Sequence, residues 1–192
     1  DAHSMREAIF ELSNECSSFR PTVIVSVIQM FKSKCLLDIS SGWGDRLIGA
    51  MAADVDFYFG CDPNPDLHAG YQEMIRFFGK DKKKFQIEES PFEKANIPDK
   101  PYDLIMTSPP YFDIEIYRPN DSRQSVYQKN LQSWLHSFMF VALKKAWSKL
   151  IVGGYLVLNI NNKGNKDRMV EPIIYFMNKI SNADYYGCIS YG

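Results

Sequence analysis

No stretch of this sequence approaches the roughly 18 consecutive apolar residues that a membrane-spanning helix needs, so no membrane partner is expected. The first residues, Asp1-Ala2-His3-Ser4-Met5, have neither the basic flank nor the apolar stretch of a secretory signal. Cysteine is scarce. Cys16, Cys35, Cys61 and Cys188 form no C-x-x-C pair and have no neighbouring His, so no zinc or other metal site is expected. Cys35 and Cys61 sit in apolar runs and read as buried free thiols, which fits a reducing, intracellular compartment. Excess positive charge is missing too: 22 Lys and Arg against 23 Asp and Glu give a net charge of −1. That excludes a broadly basic surface gripping nucleic acid by charge alone and leaves only local patches. The one basic run, Asp81-Lys82-Lys83-Lys84, reads as a solvated turn before a strand. The chain has no internal repeat, no low-complexity tract and no Gly-Lys-Ser/Thr phosphate loop. Its 192 residues suit a single domain with one core.

Short apolar runs alternate with amphipathic stretches. Residues 35–39, 57–61, 85–87, 102–106 and 155–160 read as strands, and Tyr185–Ser190 as a candidate sixth. Such continuous apolar runs suit strands covered on both faces, as in a parallel sheet. Helices are expected over 45–53 and 66–78. A longer one carries Leu131, Trp134, Leu135, Phe138 and Ala142 on one face and is stopped by Gly153-Gly154. The alternation predicts an α/β fold: a mostly parallel central sheet with helices on both faces.

An open α/β sheet places ligands beyond the carboxyl ends of its strands. The polar, Gly- and Pro-rich segments all follow strand ends and should converge there. After the first strand, Asp38, Ser40, Gly42 and Gly44 form a turn where glycine lets the backbone pass close to a ligand. A dinucleotide fingerprint needs a third glycine, but Leu47 stands in its place. Asp62-Pro63 ends the second strand, 18 positions after Gly44. An acid there can accept hydrogen bonds from both ribose hydroxyls of a nucleoside cofactor, or can simply cap the next helix. After the third strand, Glu89, Ser90 and Phe92 would flank an adenine, Phe92 as an apolar wall. Arg20 and Arg46 are candidates for a phosphate or carboxylate, or for an ion pair with an acid such as Asp45.

Thr107-Ser108-Pro109-Pro110-Tyr111 follows the fourth strand. Two successive prolines fix φ, remove two donors and keep the preceding residue extended. The result is a stiff loop with exposed acceptors. An exocyclic amino group of cytosine or adenine is a poor nucleophile because its lone pair is delocalised. Two acceptors, the Ser108 hydroxyl and the Pro109 carbonyl, can hold its two hydrogens and free the lone pair. Tyr111 would stack on the base. No strong base is needed, since the nitrogen becomes acidic once it is alkylated. Phe112, Tyr117, Arg118 and Arg123, in the polar stretch 112–128, are candidate substrate contacts.

These segments together resemble the amino-methyltransferase family of DNA methyltransferases. The likeness rests on the glycine loop 38–44, on Asp62, on Glu89–Phe92 and on Ser108–Tyr111, which matches an (Asp/Asn/Ser)-Pro-Pro-(Tyr/Phe/Trp) motif. The Gly-Trp-Gly-Asp-Arg form of residues 42–46, with 108–117, Gln124-Ser125 and 153–156, is similar to a group of phage and giant-virus-type DNA methyltransferases. The resemblance covers roughly residues 19–162. It implies a Rossmann-like fold in one methyltransferase domain over 1–192: a cofactor-flanking helix at 19–34, a cofactor-binding half at 35–100 and a catalytic half at 101–192. It implies S-adenosylmethionine as methyl donor, S-adenosylhomocysteine as product and DNA as partner. Phe19 and Thr22 would approach the methionine part of the cofactor, beside Asp38, Ser40, Gly42, Gly44, Asp62, Pro63, Glu89, Ser90, Phe92 and Ser108. Ser rather than Asp at 108 leans toward N4 of cytosine over N6 of adenine. No separate target-recognition domain is expected. An RNA base, a protein glutamine amide, or a catalytically silent binding subunit remain alternatives.

Overall fold

The inner strands of this chain are short and apolar because both of their faces are covered. In the computed structural model, residues 19–112, 118, 120–124, 130–160, 168–180 and 182–189 are described. Strands β1 (Cys35–Asp38), β2 (Phe57–Cys61), β3 (Phe85–Glu88), β4 (Tyr102–Thr107) and β5 (Leu150–Leu158) form one sheet in the order β3-β2-β1-β4-β5. All pairings are parallel. Every residue of β1 and β2 is buried. Side-chain alternation divides the core. Leu36, Tyr58, Leu104 and Met106 face helices α1 (Pro21–Phe31), α2 (Asp45–Ala52) and α3 (Pro65–Phe78). Leu37, Phe59 and Ile105 face the other layer, which holds Trp134, Leu135, Phe138 and Leu143. That layer is helix α4, made of Leu131–Trp134, a π-turn over Leu135–Met139, and Phe140–Trp147, followed by α5 (Val170–Met177). Cys35 and Cys61 are free and buried as expected, and burial pushes the Cys35 thiol up to about 12.

The chain runs outward from β1 through β2 to β3, then returns to β4 on the other side of β1. This reversal opens a crevice between the carboxyl ends of β1 and β4, the ordinary ligand position of such sheets.

Two sequence expectations fail. Gly153-Gly154 does not stop α4. The helix ends at Trp147, and both glycines lie inside β5. There the register jumps from Tyr102↔Leu150 to Leu104↔Tyr155. Gly153 takes φ +82°, and a Cβ on Gly154 would stand 3.0 Å from the Asp103 carbonyl oxygen. The glycines therefore serve an irregularity in the sheet. The sixth strand expected at Tyr185–Ser190 is not formed by the described residues 182–189, which have no strand partner. Gly187 at φ +112° interrupts the extended backbone, and Tyr186 is 82% exposed.

Candidate active site

The loop after β1 turns on two glycines in the left-handed region, Gly42 at φ +55° and Gly44 at φ +87°. Asp62, at the end of β2, ties this loop down. Its two carboxylate oxygens accept the backbone N–H groups of Gly42 and Asn64, each at 2.9 Å. Burial raises its pKa, with the N–H groups of Asn64 and Gly42 opposing. A carboxylate offers about four lone-pair positions, so two acceptor positions remain among the described residues. The helix-cap role weighed for Asp62 falls instead to Asn64, whose side chain accepts the Asp66 N–H. The Tyr71 hydroxyl donates to the Gly42 carbonyl and braces the loop from α3. A Cβ on Gly42 would meet none of the described residues within 4 Å, so the space beside this backbone is open.

Asp38 turns inward. It is fully buried and accepts Arg46 Nε at 2.8 Å, the Tyr58 hydroxyl at 2.9 Å and the Ser40 N–H at 3.3 Å. Arg46 also donates to the Ser40 carbonyl, and its guanidinium lies 5.2 Å from the centre of the Phe19 ring. This buried pair braces the loop from beneath. Arg46 thus forms the ion pair with a neighbouring acid that the sequence offered as one alternative, with Asp38 in place of Asp45. Removing one partner of such a pair costs about 3–5 kcal/mol, because a charge is left buried alone. Thr22 lies exposed in the first turn of α1, its carbonyl accepting the Ser26 hydroxyl.

The Ser108–Tyr111 segment is tied on both sides. Thr107 Oγ1 and Ser40 Oγ are 2.9 Å apart, and the Ser40 hydroxyl donates to the Ser108 carbonyl at 3.0 Å. The Ser40 proton is thereby used, so Thr107 is the donor to Ser40. From β5, Asn159 donates its N–H to the Thr107 carbonyl at 2.9 Å and its Nδ2 to Ser108 Oγ at 3.3 Å. The Tyr111 hydroxyl returns a bond to the Asn159 carbonyl at 3.2 Å. One acceptor position of the Ser108 hydroxyl remains after the Asn159 bond. Ser108, Pro110 and Tyr111 are half-buried and Pro109 is buried. Phe112, at 9% exposure, joins the core. Asn159 received no role from the sequence. Its one signal there is position, as the first polar residue beyond a strand end.

The third loop divides. Phe92 is 2% exposed and packs in the core, while Lys145 holds the loop through the carbonyls of Phe92, Glu93 and Ala95 at 2.7–3.1 Å. Ser90 is half-buried and donates its hydroxyl to the Pro91 carbonyl. Exposed Glu89 pairs with Arg123 at 3.3 Å. Arg123 also binds Asp121 at 2.9 Å, and its side-chain and backbone hydrogen bonds hold the Asp121 carboxyl down at about 2. Arg118 pairs with Asp66 at 2.7 Å and reaches Asn64 Oδ1 at 3.3 Å. Both arginines expected to meet substrate are thus engaged by acids beside Asp62 and at the end of β3. Tyr117 lies outside the described residues. Among the described residues, no group of three or more His, Cys, Asp or Glu side chains could hold a metal, and no helix is long and apolar enough to cross a membrane.

No sequence-family model matches the chain, and no curated protein matches its sequence. Solved structures do match its fold. An rRNA methylase from Streptococcus thermophilus superposes with a TM-score of 0.56 at 11% identity, over 83% of each chain. A S-adenosylmethionine-dependent methyltransferase from Clostridium acetobutylicum gives 0.53 at 14% identity, over 84% of this chain and 58% of the other. The glycopeptide N-methyltransferase MtfA, solved with S-adenosylmethionine, gives 0.52 at 10% identity, over 76% of this chain and 51% of the other. The chain spans between 40% and 58% of the length of several matched structures, the clostridial one among them. The parallel sheet, the switch point between β1 and β4, and these superpositions agree: the chain has the Rossmann-like fold of S-adenosylmethionine-dependent methyltransferases.

Proposed function

We propose that the protein transfers a methyl group from S-adenosylmethionine to an exocyclic amino group of a DNA base, N4 of cytosine before N6 of adenine. The observation that carries this reading is the double anchoring of Ser108–Tyr111, to Ser40 beside the glycine loop and to Asn159 beyond β5. It sets a rigid pair of acceptors at the switch point, next to the open backbone at Gly42.

The residues present fit the cofactor. Asp62 keeps two acceptor positions for the two ribose hydroxyls, and Gly42 has room beside it. Ser40, Gly44, Pro63, Glu89 and Ser90 complete the surround, with Phe19 and Thr22 on the methionine side. Asp38 and Phe92 support the loops from beneath, since both are buried. When bound, S-adenosylmethionine supplies an electrophilic methyl on a sulfonium centre.

The Ser108 hydroxyl accepts one hydrogen of the target amino group and the Pro109 carbonyl accepts the other. The nitrogen lone pair is then directed out of the ring plane. Tyr111, its hydroxyl held by Asn159, offers a ring face to the base. Pro110 keeps the segment stiff. Most of the rate gain on this reading is positional, a term that can reach about 7–11 kcal/mol in well-oriented systems. The base must leave a duplex to reach Ser108, so single-stranded or flipped substrate is required.

The test is binding followed by transfer. Calorimetry should show heat with S-adenosylhomocysteine, and labelled S-adenosylmethionine should mark DNA rather than RNA or protein. Absence of heat overturns the cofactor assignment. Label in protein alone overturns the nucleobase, and label in RNA alone moves the substrate from DNA to RNA.

A further inference from the structure

The basic run before β3 is the solvated turn its sequence suggests, but it is presented in a particular way. Helix α3 ends at Phe78, and Gly79 caps it. Lys80 and Lys84 both reach the Asp54 carboxylate, at 3.7 and 3.9 Å, and Lys84 lies 4.0 Å from Asp56. One acid thus closes the base of the loop 80–84. Asp81 accepts the Lys83 N–H at 3.0 Å and starts a single 3-10 turn over Lys82–Lys84. Lys82 and Lys83 stand at the tip, exposed and without an ion pair among the described residues.

Beside this loop α3 leaves Phe77 and Phe78 exposed, at 68% and 65%, with ring centres 6.4 Å apart. Arg76, paired with Glu73 at 2.7 Å, holds its guanidinium 3.9 Å from the centre of the Phe77 ring. An acidic peptide would satisfy the two lysines alone, and an apolar helix the two phenylalanines alone. A nucleic-acid strand satisfies both, with phosphates for the ammonium groups and base faces for the rings. In a duplex those faces are stacked on one another, so the surface fits a single strand. The chain needs a local surface of this kind, because its net charge is −1 and Arg118 and Arg123 are held by acids.

The sheet register relates this surface to the crevice. Phe85 of β3 is level with Leu104 of β4, through Tyr58 and Leu36. Lys83 therefore lies at the amino end of the sheet and three strands across from Ser108, roughly 25 Å away. At the duplex spacing of about 3.4 Å per nucleotide, that distance spans about seven nucleotides.

Resting on the methyl-transfer reading above, we infer that residues 76–84 dock single-stranded DNA at a distance from the base held at Ser108. Lys82 and Lys83 hold phosphates, and Phe77 and Phe78 stack on bases.

The experiment uses the whole chain with S-adenosylhomocysteine, as wild type and as two variants, Lys82→Gln with Lys83→Gln and Phe77→Leu with Phe78→Leu. Binding of a fluorescent oligothymidylate is followed by anisotropy against salt. Its bases carry no exocyclic amino group, so the pair of acceptors at Ser108 has nothing to hold. The lysine variant should flatten the salt slope by about 1–2. The leucine variant keeps an apolar surface but loses the ring faces, and should bind about tenfold more weakly at unchanged slope. In transfer assays both variants should raise KM for a long single strand and leave kcat unchanged. Neither should change KM for a strand of about five nucleotides centred on the target, which is too short to reach the loop. Wild-type affinity for oligothymidylate in both variants overturns the inference and leaves methyl transfer intact. So does a KM that rises equally for short and long strands. Lysine-dependent binding to phosphatidylserine vesicles with none to oligothymidylate, or a change of oligomeric mass in the leucine variant, assigns the surface to a membrane or to a second copy and overturns it too. Loop-dependent binding of oligothymidylate without transfer to any DNA upholds the docking surface and overturns the methyl-transfer reading.

Discussion

Replacing Asp62 by Asn probes the cofactor end of the site with least change of shape. Each carboxylate oxygen of Asp62 holds one backbone N–H, from Gly42 and from Asn64, at 2.9 Å. An amide has one oxygen and one NH2. Whichever way it is turned, its NH2 faces one of those two N–H groups, donor against donor. One charge-assisted bond is lost and a partly buried N–H is orphaned, for about 1–3 kcal/mol of stability. The cofactor suffers separately. One of the two remaining acceptor positions becomes a donor, so one hydroxyl contact worth about 1.5–3 kcal/mol disappears. That corresponds to roughly a ten- to hundredfold weaker Kd. The charge adds a pH signature. Burial raises the Asp62 pKa above the ordinary value of about 3.9. A raised carboxyl favours the folded state below the unfolded value, and this contribution is lost as pH rises through the folded pKa. Cofactor affinity runs in the opposite sense and falls as pH drops through that same raised pKa, because protonation removes an acceptor. Calorimetry with S-adenosylhomocysteine across pH 4–7.5, alongside thermal unfolding, separates the two effects. Wild-type affinity should decline toward acid, and Asp62→Asn should be weak and flat. Equal affinity for the Asp62→Asn variant and wild type, or an acid decline that survives the substitution, refutes Asp62 as a ligand group.

Two further perturbations test the loops. Gly42→Ala and Gly44→Ala each force a side chain into the left-handed region, at about 1–2 kcal/mol. The Gly44 Cβ would also press on the flexible end of Met74 at 2.7 Å, whereas the Gly42 Cβ enters open space. Similar losses of thermal stability are therefore expected, with the larger loss of S-adenosylhomocysteine affinity at Gly42; equal affinities would show that the open space holds no ligand. Asn159→Ala removes the 3.3 Å bond to Ser108 Oγ and leaves the backbone contacts in place. Steady-state assays should show kcat falling up to about tenfold with cofactor affinity unchanged, and unchanged kcat would deny Asn159 its positioning role.

The sequence conveyed the architecture because its signals were local. Strands buried on both faces had to be apolar runs, and strand ends had to be polar, so the edge carrying Ser40, Asp62 and Ser108 could be located without coordinates. What it could not convey depended on partners distant in the chain. Asp38 in a glycine loop reads as a ligand group, yet Tyr58 of β2 and Arg46 of α2 claim its carboxylate from below. Phe92 after a strand reads as a wall for a ring, but α4 covers it, with Lys145 above. Arg118 and Arg123 read as candidate substrate contacts, and their pairing with Asp66 of α3 and Glu89 of the β3 loop has no local signal. Gly153-Gly154 reads as a helix stop because an irregularity in a parallel strand has no local signature. Asn159 became visible as a site residue only when β5 was laid beside β4.

The most direct test of the central claim is the fate of the methyl group in wild type and Ser108→Ala. Single- and double-stranded DNA would be incubated with protein and labelled S-adenosylmethionine, digested to nucleosides, and separated by liquid chromatography with mass detection. The account predicts N4-methylcytosine from wild type, and turnover reduced by at least about tenfold in Ser108→Ala although S-adenosylhomocysteine still binds as before. Undiminished turnover in Ser108→Ala, or no methylated nucleoside from any DNA with wild type, contradicts it.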